Sequence, residues 1–368
     1  MRAGVVGTGF IGVVHVEALR RLDIDVAGVV GSSPERAREK PGLPEPYESY
    51  EALLADDSVD VVHITTPNHL HFPQVKAALA AGKHVVCEKP LALTSHETAE
   101  LVRLTAESGL VNCTNYNIRF YGQCLAARER VLTGELGRVF NVHGGYIQDW
   151  LLLDTDWNWR LETTQGGALR AVADIGTHWL DLVTFVTGKR IASVFAELTT
   201  VHRVRRAPTG PVETFAGGGE DVERVEREMS SEDVAHILLR FDDDARGSLV
   251  VSQMSAGRKN RIWLEADGTE GALQWDAEAH EQLWLGHRDR SNEVHWREPG
   301  PSDYPSGHAE GFPDTFKQLY RAVYRAVEAG RMPDEPDFPT FRDGHDEVVL
   351  CEAIAASARD GRWIDVPR

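Results

Sequence analysis

Two places in this chain carry side chains that could move a proton. Lys89 closes the apolar run His84-Val85-Val86-Cys87 and stands between Glu88 and Pro90. In open α/β sheets ligands lie beyond the carboxyl ends of the strands, so a lysine there points toward a ligand mouth. A surface lysine after a strand has the same pattern. The second place is Asp174-Ile-Gly-Thr-His178-Trp-Leu-Asp181. In a helix these three polar residues stand at i, i+4 and i+7 on one face. A carboxylate one turn from an imidazole orients it and raises its pKa, which gives a general acid or base poised near neutrality. A first-turn acid beside a solvated histidine has the same spacing. No G-x-S-x-G nucleophile elbow is present, so no Ser-His-Asp reading is compelling.

The elements that must position these groups begin at the N-terminus. Residues 2–6 form a short apolar run, Gly7-Thr-Gly9-Phe10-Ile11-Gly12 a tight turn, residues 13–22 a helical pattern, and residues 24–31 a second apolar run. Strand, G-x-G-x-x-G, helix, strand is the context of a dinucleotide fingerprint. Gly7 serves the turn, Gly9 the approach of backbone to a pyrophosphate, and Gly12 the packing of helix on strand. The helix N-terminus adds free N–H groups and partial positive charge. Phe10 and Ile11 open that helix. At the end of the second strand the chain reads Gly31-Ser32-Ser33-Pro34-Glu35-Arg36, without the carboxylate that NAD sites place on the ribose 2′-hydroxyl. Ser32, Ser33 and Arg36 suit a 2′-phosphate, so NADP is favoured and NAD stays open. Ser33 also reads as an N-cap, with Pro34 at the first helical position.

Further apolar strands at 59–64 and 84–87 end in Thr65-Thr66-Pro67-Asn68-His69 and Glu88-Lys89-Pro90. Thr66, Pro67 and Asn68 are therefore placed to line the cofactor. A helix at 94–108 should be capped by Thr94 and stopped by Gly109. A strand at 110–115 leads through Asn117 and Arg119 out of this unit, and we place the boundary at 118. Residues 119–368 turn to longer alternating segments at 138–148, 193–201, 231–241, 246–254, 261–266 and 271–275, as half-buried antiparallel strands do. A hairpin-like pair lies within 283–296. Residues 202–230 read as a loop or long excursion. Helices follow at 314–329, with Phe316, Leu319, Tyr320, Val323 and Val327 on one side, and at 340–359. Before the Asp-His pair, the stretches Asp149-Trp150 and Asp156-Trp157-Asn158-Trp159-Arg160 suit stacking on a sugar ring, or ordinary aromatic packing.

Composition excludes several classes. At 368 residues the chain is long enough for two domains, with 42% hydrophobic and 26% charged residues. A net charge of −18 disfavours nucleic acid and anionic membranes as partners. No apolar run is long enough to span a bilayer. A strand starting almost at Met1 predicts no signal peptide. Cys87, Cys113, Cys124 and Cys351 form no CxxC or disulfide framework, which fits a reducing cytoplasm. The spacing of His63, His69 and His71 crosses a strand end and a loop without a helical pair, so we expect hydrogen-bonded or solvated histidines and no metal.

These residues together resemble the Gfo/Idh/MocA family of glucose–fructose oxidoreductase and inositol dehydrogenase. The resemblance spans nearly the whole chain. It rests on Gly7-x-Gly9-x-x-Gly12, Thr66-Pro67-Asn68 with His71, Ala81-Gly82-Lys83-His84-Val85 running into Glu88-Lys89-Pro90, and Gly166-Gly167-Ala168 before Asp174-x-x-x-His178-x-x-Asp181. Trp159-Arg160 looks like the family's substrate loop. The resemblance implies an N-terminal Rossmann domain and a C-terminal α/β domain with a large open, mostly antiparallel sheet. It implies NAD(P)-dependent oxidation or reduction of a sugar, cyclitol or related polyol. Lys89 would orient the reacting oxygen, His178 would be the general acid/base, and Asp174 would hold substrate or tune the pair. Asn117, Arg119, Trp159 and Arg160 would bind substrate; His71 and Glu88 would join the cofactor set. Homodimers or homotetramers through the open sheet are implied as well. In two respects the chain departs from the family: about three extra residues, within Leu169-Arg170-Ala171-Val172-Ala173, and the missing acid after the second strand. Two other readings remain: a nucleotide-binding sensor on the same scaffold, since fold does not fix function, and an oxidoreductase that keeps its cofactor bound between two substrates.

Overall fold

The computed structural model describes residues 1–210, 223–298 and 303–367. The chain divides into two compact units, one of Met1–Asn117 with Phe312–Val348, the other of Ile118–Gly311 with Val349–Arg368.

The first unit is built on five parallel strands: β1 (Arg2–Val6), β2 (Asp25–Val30), β3 (Val61–Ile64), β4 (His84–Cys87) and β5 (Asn112–Thr114), in the order β2-β1-β3-β4-β5. Val5, Val6, Val61, Val62, Ile64, Val85 and Val86 are buried, as both-sided burial of a parallel sheet requires. The helices are α1 (Phe10–Arg20), α2 (Pro34–Arg38), α3 (Tyr50–Leu54), α4 (His71–Ala80) and α5 (Ser95–Ser108). Ser33 caps α2 and Thr94 forms a capping box with Glu97 on α5, which ends at a left-handed Gly109. All three are as the sequence predicts.

The second unit carries α6 (Gly122–Leu132), β6 (Val139–Ile147), α7 (Thr163–Gly166), α8 (Thr177–Thr187), β7 (Ile191–Thr199), β8 (Val204–Pro208), β9 (Arg224–Glu228), β10 (Val234–Phe241), β11 (Arg246–Ser252), β12 (Arg261–Gly268), β13 (Ala272–Asp276), β14 (Gln282–Gly286) and β15 (Glu293–Trp296). Helices α9 (Phe312–Glu328) and α10 (Phe341–Asp360) and strand β16 (Ile364–Asp365) complete the chain. Nine strands make one sheet in the order β15-β14-β13-β12-β6-β11-β10-β7-β16, with only β6 and β11 parallel. Alternate residues such as Ile262, Leu264 and Ala266 join Trp179, Leu180 and Trp275 in its core. The stretch 202–230 is more regular than a loop: β8 and β9 pair antiparallel, while residues 211–222 lie outside the described residues. Its Arg and Glu content hid the alternation that buries Arg205 and Ala207.

A boundary at 118 does not describe the first unit fully, because Phe312–Val348 returns to it. The reason is the apolar stripe of α9. Phe316 and Tyr320 pack on the His15 ring of α1, at 5.8 and 5.2 Å between ring centroids, and Asp314 pairs with Arg21. Among the described residues, no helix is long and apolar enough to cross a membrane.

Candidate active site

The carboxyl edge of the parallel sheet gathers the sequence-selected residues of the first unit. Gly7 turns out of β1 with φ +110°, and a Cβ there would lie 2.7 Å from the Thr65 backbone. Gly12 sits so close to the turn that its Cβ would stand 2.1 Å from the Gly7 carbonyl oxygen. Gly9, the N-cap of α1, is different: an added Cβ meets nothing within 4 Å, and no side chain caps the helix. The turn thus offers uncapped N–H groups and open space at one point, which is what a pyrophosphate needs. Phe10 is 52% exposed beside it. Beyond β2, Ser32 and Arg36 are exposed, and the Ser33 hydroxyl accepts from Arg36 N at 3.3 Å. The residues present therefore fit a dinucleotide.

Beyond β3, Thr66 Oγ1 bonds Gln74 Oε1 at 2.6 Å, Pro67 is half-buried and Asn68 is buried. His71 is buried, with Nδ1 2.8 Å from Pro90 O and Nε2 2.9 Å from Thr66 O. Burial lowers its pKa, and a neutral ring donates to one carbonyl at a time. The His71 ring thereby stands between the turn after β3 and the turn after β4, within reach of a carbonyl of each. Lys89 is half-buried, after β4.

Behind Lys89 lies a buried polar chain that sequence reasoning missed. Glu88 accepts from Lys89 N at 3.1 Å, from Asn115, and from His15 Nε2 at 3.1 Å. His15 Nδ1 and His63 Nδ1 are 3.0 Å apart, and His63 Nε2 meets Tyr324 OH at 3.1 Å. Burial first, and His15 second, push the His63 pKa well below its ordinary value. His63 is thus a buried strand histidine and His71 a buried helix histidine; only His69 of that trio is exposed. Histidine inside the apolar run of β3 was the available signal. Among the described residues, no cluster of His, Cys, Asp or Glu could hold a metal ion.

In the second unit Asp174 lies in a π-helical turn, Val172–Gly176, that runs into α8. Such turns are frequent at functional sites. Asp174 Oδ1 is 3.0 Å from Arg160 Nε, and Oδ2 accepts from Gln253 Nε2 at 2.8 Å. Arg160 stacks 4.4 Å over the Trp159 ring. His178, on the first turn of α8, is 8% exposed, with Tyr146 6.1 Å away between rings. Asp181 is occupied elsewhere: it is 1% exposed and accepts from Arg119 Nε at 2.8 Å. Arg119 is itself buried and lies 5.0 Å over Phe185. Asn117 is buried in the first unit, donating to Thr315 Oγ1 at 2.7 Å. The arrangement in this unit can bind polar groups through Arg160 and Asp174 and exchange a proton through His178.

The chain is similar to known proteins over its whole length. Residues 1–116 match the family model described as oxidoreductase family, NAD-binding Rossmann fold, and residues 124–274 match the GFO/IDH/MocA C-terminal domain. Levoglucosan dehydrogenase of Pseudarthrobacter phenanthrenivorans is 28% identical over 395 residues, covering 100% of this chain and 98% of that protein. A levoglucosan dehydrogenase structure in complex with NADH and levoglucosan superimposes with a TM-score of 0.87 at 26% identity, covering 100% of this chain and 99% of the other. An oxidoreductase domain protein from Kribbella flavida gives a TM-score of 0.88 at 27% identity, with the same coverage.

Proposed function

Because this chain belongs to the GFO/IDH/MocA oxidoreductase family, we propose that it moves a hydride between a nicotinamide cofactor and the CH–OH or ketone carbon of a sugar, cyclitol or related polyol. It is an NAD(P)-dependent dehydrogenase or reductase. The observation that carries the reading is the carboxyl edge of the parallel sheet, where the open Gly9 turn, Ser32, the Thr66–Pro67–Asn68 turn and Lys89 follow successive strands.

The nicotinamide, when bound, supplies the hydride acceptor or donor. Gly7, Gly9 and Gly12 with the first N–H groups of α1, at Phe10 and Ile11, hold its pyrophosphate. Ser32, Ser33 and Arg36 take the 2′ position, where the absence of a carboxylate favours NADP. Thr66, Pro67 and Asn68 line it, with His71 and Glu88 fixing the turns on either side. Lys89 Nζ donates to the reacting oxygen. In oxidation the His178 imidazole takes the hydroxyl proton as the carbon gives up hydride; in reduction it returns that proton. Asp174 and Arg160 orient the polyol, with Trp159 beside them. Met1–Asn117 with Phe312–Val348 serve the cofactor, and Ile118–Gly311 with Val349–Arg368 serve substrate and assembly.

A second copy of the chain covers the open sheet face, where Leu238 is 48% exposed beside Phe195 and Trp296 is 62% exposed. Light scattering should give a dimer or tetramer mass; a monomer at micromolar concentration removes that part. We place the enzyme in the cytoplasm, which suits four free cysteines, three of them buried; recovery in an envelope fraction would argue against it.

The test is turnover on levoglucosan, myo-inositol and D-xylose with NAD and NADP. Lys89→Met and His178→Asn should each lower kcat by about 10²–10⁴ while cofactor affinity survives. Near-normal turnover in both variants would overturn the assignment. Cofactor binding without turnover on a wider polyol panel would favour the sensor.

A further inference from the structure

Buried behind Asp174 is a row of charged and amide groups that the proton chemistry does not use. Arg170 is 2% exposed, Arg205 0%, Asp233 1% and Gln253 0%. Arg170 pairs with Asp233, and Arg205 Nη2 reaches the same Asp233 oxygen at 2.8 Å. Burial works against the Asp233 charge, but the two guanidinium groups outweigh it and hold its pKa below the ordinary value. Arg170 also donates through Nη1 to Gln253 Oε1 at 2.7 Å. On the far side, Gln253 Nε2 donates to Asp174 Oδ2.

The direction of this row follows from what each group can do. A guanidinium has five N–H donors and no acceptor. Gln253 must therefore turn its carbonyl to Arg170, which leaves its amide N–H₂ facing Asp174. An N–H₂ group only donates, so Asp174 Oδ2 must accept, and a proton on that oxygen would meet a donor head-on. Asp233 in turn fixes Arg170 through the pair that Arg205 completes. Arg205 also donates to the carbonyls of Leu151 and Leu153 at 2.9 and 2.8 Å, so the same buried charges anchor the loop that carries Trp159 and Arg160. Arg170 lies within the lengthened segment before the π-turn. Glu232 holds that segment in place by accepting from Arg170 N at 2.9 Å and Val172 N at 2.8 Å.

We propose that Gln253 is a positioning residue for Asp174: turned by Arg170, its amide holds the Asp174 side chain as an ionised acceptor facing Arg160. This rests on the reading of Asp174 as a substrate-site residue, and the experiment separates the two. Arg160 from the loop and Gln253 after β11 bond Asp174, and its charge reaches Tyr146 on β6; Arg170, Arg205, Glu232 and Asp233 stand behind Gln253.

The free protein, labelled with carboxyl-¹³C aspartate, reports Asp174 as the resonance that Asp174→Asn removes. Gln253→Leu takes away the donor at similar volume, and Gln253→Glu sets a second carboxylate against the first, so that the pair must share a proton. Both should raise the pH at which the Asp174 resonance titrates by about one unit or more, with the cofactor Kd unchanged. Turnover of whichever of levoglucosan, myo-inositol and D-xylose the parent oxidises fastest should fall about 10–100-fold, with the ratio of Gln253→Glu to parent rising as pH falls. If Gln253→Leu does not fold, Gln253→Glu decides. An unmoved Asp174 titration in the folded variants overturns the proposal. Near-normal turnover of Asp174→Asn with a shifted titration would instead remove Asp174 from the substrate site, leaving the buried row a purely structural one.

Discussion

Substituting Gly9 by aspartate should make the free protein slightly more stable and nearly abolish cofactor binding. A Cβ at position 9 meets nothing within 4 Å, and the backbone, at φ −72° and ψ −176°, is extended and open to any residue. Aspartate is a preferred N-cap where α1 has none, and its charge complements the helix dipole. We expect a gain of about 0.3–1 kcal/mol in the free protein. The same carboxylate would face the pyrophosphate. One like-charge pair at about 4 Å near a protein surface is worth about 4 kcal/mol, or about 10³ in Kd. At a cofactor concentration of about 1,000 times the parent Kd, binding stabilises the parent by about 4.1 kcal/mol, and should stabilise the variant by only about 0.4 kcal/mol. Melting curves with and without NADPH read both effects. Gly12→Ala is the contrast, because its methyl would strike the Gly7 carbonyl at 2.1 Å, and Gly7 is held by its N–H to Val30 O at 2.8 Å. It should lose about 1–3 kcal/mol in the free protein. Either a large NADPH-induced shift in Gly9→Asp, or a free Gly9→Asp protein melting well below the parent, would refute the assignment of this turn.

Ser32→Asp should lower the ratio of kcat/KM for NADP over NAD, by repelling a 2′-phosphate and accepting a 2′-hydroxyl; an unchanged ratio would take Ser32 out of the cofactor site. Asp181→Asn should cost about 3–5 kcal/mol in denaturant unfolding, since it takes the carboxylate from buried Arg119, and a loss of substrate affinity without a loss of stability would place Arg119 in the substrate site instead. Stability should also fall as pH drops below neutrality. The folded-state pKa of His63 lies well below 6.5, so below 6.5 the unfolded chain binds a proton that the folded chain refuses. Each such group removes up to about 1.4 kcal/mol per pH unit, and His71 acts in the same direction. His63→Asn should flatten the melting temperature between pH 7 and 5; an unaltered slope would show that His63 takes up its proton without unfolding.

The sequence was most informative where backbone and chemistry coincide. The glycine turn, Ser33, Thr94 and Gly109 act within a few residues of themselves, and each is where its local pattern puts it. Asp181 and Arg119 show the limit. Helical spacing sets Asp181 with Asp174 and His178, but a π-turn intervenes, and Asp181 is held by a guanidinium from 62 residues away. Long-range partners of this kind leave no local trace. The same is true of Gln253 and of the Glu88–His15–His63–Tyr324 chain, in which every bond joins separate elements. The return of α9 was half legible: its apolar stripe announced that something would be covered, but not what.

That return makes the order of synthesis matter. A ribosome delivers β1 to β5 first, then the whole of Ile118–Gly311, and only afterwards the helix that closes over His15 and His63. Until then the nascent cofactor-binding half presents two histidines and an apolar flank to its surroundings. A gene fragment that stops at the end of the first sheet should yield a sticky, protease-sensitive product, so this dinucleotide module is not portable as a contiguous cassette.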